Sequence, residues 1–259
     1  DDRGMEEFLR STFPDLDIEA AFRFIVERAD LYRYAVINEY GGMYMDSDTE
    51  CRHPVKEWME IMGLDHIESD SDSPSGYILQ NVLHRTTVPL HRIFGAEPIG
   101  HHTVRVTMVI GIEFYDIERP LNNFEADTHS QFVQWAFLSK ARNPILSAVI
   151  GQVLLNTVTI PDEKGYIIAR TGPVAFTKAI LSFIEEHSMY DADLPLFDYR
   201  QIDAAGQLIP LQIDDDILWI LVLPYRAFGY HRMHQLPPPI KHSREMALIY
   251  HRFEGSWKK

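Results

Sequence analysis

Asp46 and Asp48 are the residues of this 259-residue chain whose type and spacing best suit chemistry. They come directly after a short apolar stretch, Met43-Tyr44-Met45, which itself follows Gly41-Gly42. On an extended backbone residues i and i+2 share a face, so both carboxylates can converge on one point. A strand end at the edge of an α/β sheet is also where ligands commonly bind. Two carboxylates held so close repel, and a divalent cation removes that penalty. Oxygen ligation suits Mg2+ or Mn2+, with open positions left for substrate phosphates. Spacing alone does not select this pair. Asp-x-Asp also occurs at Asp15/Asp17, Asp70/Asp72, Asp191/Asp193 and Asp214/Asp216. With this much Asp in the chain, chance supplies about one or two such pairs. A solvated acidic turn suits the other four, Asp70/Asp72 above all, since that pair sits in the Ser-rich stretch 69–76.

The elements that must hold Asp46 and Asp48 are readable from apolar spacing. Met5 to Phe13 reads as a short helix ending before Pro14, and Ile18 to Tyr40 as one helix stopping at Gly41-Gly42. Met43 to Met45 is then a short strand, and Pro54 opens a helix through Trp58 and Met62. Residues 63–103 carry no clear period. Val104 to Glu113 is rich in strand formers, whereas Gln131 to Lys140 and Ile145 to Val158 show helical patterns. Thr171-Gly172-Pro173 precedes a helix over Val174 to His187, Ile217 to Leu223 suits a buried strand, and Leu248 to Phe253 a last one. Helices alternating with short buried strands predict α/β layering, read here as one domain over 1–259.

Composition narrows the function classes. Hydrophobic residues at 46% and charged residues at 24% are those of a soluble globular protein. Lys+Arg 24 against Asp+Glu 38 gives a net charge of −14, which repels nucleic-acid phosphates and anionic lipid, so nucleic acid is not an expected partner. The single cysteine, Cys51, excludes an intrachain disulfide. The longest unbroken apolar run, Ile217 to Leu223, is far short of the roughly 20 residues that span a bilayer. The chain opens on Asp1-Asp2-Arg3, and neither a signal peptide nor a membrane anchor is expected in it.

Asp30 and Arg33, three apart on the preceding helix, share one face. They can reach the cleft at Asp46, with Arg33 meeting phosphate or sugar hydroxyls and Asp30 accepting hydroxyl hydrogen bonds. They can equally form a helix-surface ion pair contributing a few tenths of a kcal/mol.

The run Arg28-Ala29-Asp30-Leu31-Tyr32-Arg33-Tyr34, followed by Glu39-Tyr40-Gly41-Gly42-Met43-Tyr44-Met45-Asp46-Ser47-Asp48, resembles the core signature of the Asp-x-Asp sugar transferases of glycosyltransferase family 32. The continuation Thr49 to Trp58 resembles the fungal initiation-type α-1,6-mannosyltransferase branch. Ile110-Gly111-Ile112-Glu113, Gln131-Phe132-Val133-Gln134-Trp135, Asn143-Pro144-Ile145-Leu146, Thr171-Gly172-Pro173 and His251 to Trp257 agree with it. These blocks run from residue 28 to 257.

The resemblance implies a GT-A fold, a mixed central sheet flanked by helices. It also implies Mn2+ or Mg2+ as cofactor and a nucleotide-diphosphate sugar donor, GDP-mannose for the matched branch. By position, Asp46 and Asp48 would face metal, ribose and pyrophosphate, beside Tyr44. Asp30 and Arg33 would hold the donor sugar. His251 would complete the metal shell, although a plain strand-end histidine is the other reading. Ser256 and Trp257 would close over the diphosphate. The implied reaction moves mannose to a glycan acceptor with retention of configuration, in a Golgi-lumen domain whose anchor lies outside this chain. An upstream strand normal for the family is expected to be missing. Glu113 is the candidate for positioning the acceptor, with Gln134 behind it, or else a structural carboxylate at a strand end. Three alternatives stand beside this reading: another hexosyltransferase of the fold, a non-catalytic carbohydrate-binding remnant, and a metal-dependent phosphohydrolase.

Overall fold

A computed structural model describes residues 2–58, 67–69, 77–79, 104–115, 130–188, 207–214, 216–223, 227–229 and 247–252. Helix α1 (Asp2–Thr12) buries Met5 and Leu9 and ends ahead of Pro14. The helix expected over 18–40 is two. The short α2 (Ile18–Ala21) is capped by Asp17, whose carboxylate accepts from Ala20 N at 3.1 Å. Phe24 is extended, and its N–H donates to the Glu27 carboxylate at 3.3 Å, which starts α3 (Ile25–Tyr40) afresh. Gly41 closes α3 at φ +68, its N–H donating to Ile37 O at 2.8 Å.

The chain then turns into β1 (Gly42–Met45), β2 (Thr49–Cys51) and a 3-10 turn at Val55–Glu57. The helix expected from Pro54 therefore begins as a 3-10 turn, and Met62 lies outside the described residues. Within 63–103 the described strands are β3 (Ile67–Ser69) and β4 (Tyr77–Leu79). They are followed by β5 (Val104–Tyr115), β6 (Ser130–Phe132) and β7 (Ala136–Ser139). Next come α4 (Pro144–Thr159), α5 (Ile167–Arg170) and α6 (Pro173–His187). The hairpin β8 (Gln207–Ile213) and β9 (Asp216–Leu223) precedes β10 (Phe228–Gly229) and β11 (Ile249–His251).

The long strand β5 is the axis of a mixed sheet. β9 lies parallel to it on one side, with β8 antiparallel outside β9. β7 lies antiparallel on the other side, and β1 pairs antiparallel with β7. Strands β1, β5 and β9 thus run in one direction, and Asp46 and Glu113 stand toward their shared C-terminal edge. A small second sheet, β10-β11-β2, lies beside it.

Each face has its own core. Met108, Ile110, Ile220 and Val222 pack under Leu31, Tyr34, Val149 and Phe176 of the helices. Val109, Leu138, Trp219 and Leu221 face the other way, toward Trp58, Phe228 and Leu248. The helical reading of Gln131 to Lys140 is overturned: the segment is β6, three bulged residues Val133–Trp135, and β7, pairing in turn with β5. Because both faces of this sheet are covered, the segment is apolar almost throughout, and such a run mimics a buried helix.

Two of the rival acidic pairs have plain structural roles. Asp17 caps α2, and Asp214, at φ +51, sits in the β8–β9 turn. Asp70/Asp72 and Asp191/Asp193 lie outside the described residues. Lys164–His187 is long and apolar enough to cross a membrane by length and composition, but it is 61% buried and packs with α4 and the sheet.

Gly41 tests how tightly the helix-to-strand turn is specified. A Cβ there would sit 2.7 Å from Ala141 N, whereas at Gly42 (φ +105) nothing lies within 4 Å. Both alanine variants carry backbone strain of about 1–3 kcal/mol. Gly41→Ala adds a clash with backbone, so urea unfolding should show it to be the more destabilised of the two.

Candidate active site

Asp46 ends β1, and its N–H donates to Trp135 O at 2.9 Å across the β1–β7 pairing. The chain then turns rather than staying extended: Thr49 N and Thr49 Oγ1 both bond Asp46 O, at 3.1 and 2.7 Å. The two carboxylates therefore meet across a turn, not by strand alternation. β2 pairs antiparallel with β11, placing His251 opposite Thr49, and Arg252 N donates to Asp48 O at 3.0 Å. His251 Nε2 lies 3.3 Å from Asp48 Oδ1 and 3.8 Å from Asp46 Oδ2. One ligand atom from each of Asp46, Asp48 and His251 lies within 4.8 Å of the others. Two carboxylate oxygens and an imidazole nitrogen so grouped could hold a divalent metal ion.

Behind this trio stands a buried cation. Arg33, in the middle of α3, reaches Asp30 Oδ1 at 3.0 Å and Asp46 Oδ1 at 3.3 Å. Asp30 is 2% and Arg33 6% exposed, so the surface ion-pair reading fails. Arg33 also lies over the Tyr44 ring at 5.0 Å, and the Tyr44 hydroxyl donates to Asp46 Oδ1 at 2.8 Å. Burial alone would raise the Asp46 carboxyl. The hydrogen bond with His251, the Arg33 charge and the Tyr44 hydroxyl outweigh burial and hold it below the usual range.

Asp30 is satisfied from three directions. Thr171 Oγ1 donates to its Oδ2 at 2.7 Å, Arg33 meets Oδ1, and Gln134 Nε2 approaches Oδ1 at 3.5 Å. Burial still pushes the Asp30 carboxyl up to about 6, against the pull of Arg33 and Thr171. Tyr34 OH donates to Thr171 O at 2.9 Å and lies against Gln134 Oε1. Thr171 is in turn fixed by its neighbour Arg170, whose Nε lies 2.8 Å from Glu27 in a fully buried pair.

Glu113 lies at the same edge of the sheet. Gln131 Nε2 donates to its Oε2 at 2.8 Å and Trp135 Nε1 to its Oε1 at 3.1 Å, and burial raises the carboxyl. Gln131 and Trp135 flank Glu113, then, while Gln134 bonds toward Asp30 instead. The structure brings together Asp30, Arg33, Tyr44, Asp46, Asp48 and His251. Ser256 and Trp257 lie outside the described residues. Sequence reading missed the supporting roles of Tyr34, Thr171, Gln131 and Trp135. Their only signal was membership of the stretches Arg28 to Tyr34, Thr171-Gly172-Pro173 and Gln131 to Trp135.

Residues 4–64 match the family described as the glycosyltransferase sugar-binding region containing DXD motif. That segment contains two Asp-x-Asp pairs, Asp15/Asp17 at the cap of α2 and Asp46/Asp48 at the site. The chain is 27% identical to the initiation-specific alpha-1,6-mannosyltransferase of Candida albicans over 276 residues, covering 97% of this chain and 59% of that protein. It is 24% identical to the initiation-specific alpha-1,6-mannosyltransferase of Schizosaccharomyces pombe over 272 residues, covering 100% of this chain and 55% of that protein. The chain thus spans little more than half the length of these curated relatives. A mixed sheet flanked by helices fits the GT-A type of fold associated with this family.

Asp30 carries a measurable pH signature. Its folded value near 6 stands above the ordinary 3.8, so the folded state binds this proton more tightly than the unfolded chain. Its contribution to stability is fully present below about pH 4 and lost as pH rises through 6. Comparing Asp30→Asn with the parent at pH 4 and pH 7 cancels the lost hydrogen bonds. The parent should lose on the order of 2–3 kcal/mol relative to the variant over that interval.

Proposed function

On the premise that the chain belongs to the glycosyltransferases whose sugar-binding region contains the DXD motif, we propose that it is a retaining hexosyltransferase. In this reading it moves mannose from GDP-mannose to a hydroxyl of an oligosaccharide, and residues 1–259 act as one catalytic domain in the Golgi lumen. The observation that carries the reading is the convergence of Asp46, Asp48 and His251 beside the buried Arg33–Asp30 pair. A random acidic turn has no reason to recruit a histidine from the far end of the chain and a buried arginine from the preceding helix. The similarity to two fungal alpha-1,6-mannosyltransferases supports mannose as the sugar moved.

Asp46, Asp48 and His251 would hold the divalent cation. Bound there, Mn2+ or Mg2+ would neutralise the donor's diphosphate. The transfer breaks the bond from the sugar C1 to the diphosphate oxygen and forms one from C1 to the acceptor oxygen. The acceptor's proton leaves on a diphosphate oxygen. Arg33 offers fixed positive charge next to Asp46, where negative charge grows on the leaving group, and it needs no reorganisation to do so. Asp30 would accept from sugar hydroxyls, and Tyr44 orients Asp46. Ser256 and Trp257 are proposed to cover the diphosphate. Glu113, held by two donors at the open edge of the sheet, would accept from the acceptor hydroxyl.

A donor screen by product mass spectrometry, using GDP-mannose, UDP-glucose, UDP-galactose and UDP-GlcNAc with an oligomannose acceptor, tests the assignment. Transfer of a mass-162 hexose from GDP-mannose alone is expected. Transfer from a UDP-sugar alone would refute the donor, and no turnover of any donor would favour a carbohydrate-binding remnant. Asp48→Asn should lower transfer by about 100-fold or more with the far-UV circular dichroism unchanged. Glu113→Gln should raise the acceptor KM and leave the donor KM alone.

A further inference from the structure

Trp135 enters the reading above only as one of the two donors that hold Glu113, yet it touches three of the residues that reading uses. It lies in the bulge between β6 and β7 and is 4% exposed. Its carbonyl oxygen accepts the Asp46 N–H at 2.9 Å. Its ring meets His251 edge to face, with centroids 4.7 Å apart and planes at 61°. Its indole N–H donates to Glu113 Oε1 at 3.1 Å. Asp46 and His251 come from opposite ends of the chain, and Trp135 is the residue against which both are set.

We infer that Trp135 is a positioning residue for the cation site: its backbone fixes Asp46, its ring fixes the plane of His251, and its N–H ties that arrangement to Glu113. The physical reason lies in the bulge. Three extra residues between two strand halves let one side chain leave the pleat and lie along the sheet's C-terminal edge, where a regular strand would bury it in a face. A ligating imidazole needs a fixed orientation to present its nitrogen, and it binds metal more weakly when its supporting partner is removed. Its neighbour Gln134 bonds toward Asp30, so the two consecutive side chains of the bulge serve different parts of the site.

The inference rests on the assignment of Asp46, Asp48 and His251 as cation ligands, and the test separates the two. Mn2+ binding is titrated calorimetrically to the parent chain, His251→Ala, Trp135→Leu, Trp135→Phe and Trp58→Leu. Trp58 is the matched control: it is 3% exposed and packs on the Phe228 ring at 6.0 Å, a ring that Trp135 also meets at 5.9 Å. Its indole donates to His53 O at 2.8 Å, so its bond serves the neighbouring loop. If the ligands are as assigned, His251→Ala loses Mn2+ binding. Trp135→Leu then weakens it by about 10–100-fold. Trp135→Phe, which keeps a ring against His251, recovers most of the affinity, and Trp58→Leu leaves it unchanged at a comparable loss of melting temperature.

Should Trp135→Leu fail to fold, Mn2+ quenching of tryptophan emission decides instead. In a Trp257→Phe background, which removes the tryptophan proposed to cover the diphosphate, Trp135→Phe should abolish most of the Mn2+-dependent quench, whereas Trp58→Phe should not. Equal Mn2+ affinity in Trp135→Leu and the parent, equal loss in Trp58→Leu, or an unchanged quench in Trp135→Phe would each overturn the positioning role. Unaltered Mn2+ binding in His251→Ala would overturn the ligand assignment beneath it.

Discussion

Negative charge is the constraint this architecture is arranged around. A chain of net charge −14 gathers Asp30, Asp46, Asp48 and Glu113 toward one edge of its sheet, the last of them from a segment far from the others in sequence. Carboxylates a few ångströms apart in a partly buried site repel far more strongly than in water. Arg33 stands against that repulsion with contacts to Asp30 and Asp46 at 3.0 and 3.3 Å, while the His251 imidazole lies 3.3 Å from Asp48 and 3.8 Å from the same Asp46. Deleting one partner of such a buried pair costs far more than the pair contributes, because the other charge stays desolvated. The site is therefore locked to its counter-charges, and the helix and strands that carry those charges are locked to one another.

That lock explains several features that look unrelated in isolation. Glu27, Asp30 and Tyr34 recur at helical spacing on α3, and each bonds to the segment Arg170–Thr171. They fasten α3 to the start of α6 and hold Asp30 without exposing it. On the sheet side, Gln134 and Trp135 are consecutive residues of one bulge that point to different partners, Asp30 for the first and Glu113 with His251 for the second. Gly111 in β5 leaves no room for a side chain, since a Cβ there would meet the Phe228 ring at 2.4 Å. That close approach keeps β10, and with it β11 and His251, down on the main sheet.

Part of this was legible in the residues. Gly41-Gly42 before an apolar triplet and an acidic pair announces a turn, a strand and a strand-end site, and the order of elements from α3 to β2 follows it. The helices with clear caps were also readable: Asn143 accepts from Ile145 N at 3.0 Å, and α4 begins at Pro144, one residue before the expected Ile145. Gln131 to Lys140 was not. Phe132, Val133, Trp135, Ala136, Phe137 and Leu138 are buried whichever way they point, so no alternation survives to mark a strand. The break in the long helix at Phe22–Phe24 was hidden because two of its three residues are apolar and continue the helical pattern. The pairing of His251 with the acidic turn depends on β11 joining β2, a contact across some two hundred residues that no local pattern encodes.

The central claim is that a divalent cation sits among Asp46, Asp48 and His251, on the side of Asp46 away from Arg33. Anomalous diffraction at the manganese edge, from crystals grown with Mn2+ and GDP, tests it directly. The account predicts a single strong peak within bonding distance of the two carboxylates and the imidazole, with the diphosphate against it. A peak elsewhere, with Asp46 still held only by Arg33, Tyr44 and His251, would contradict it.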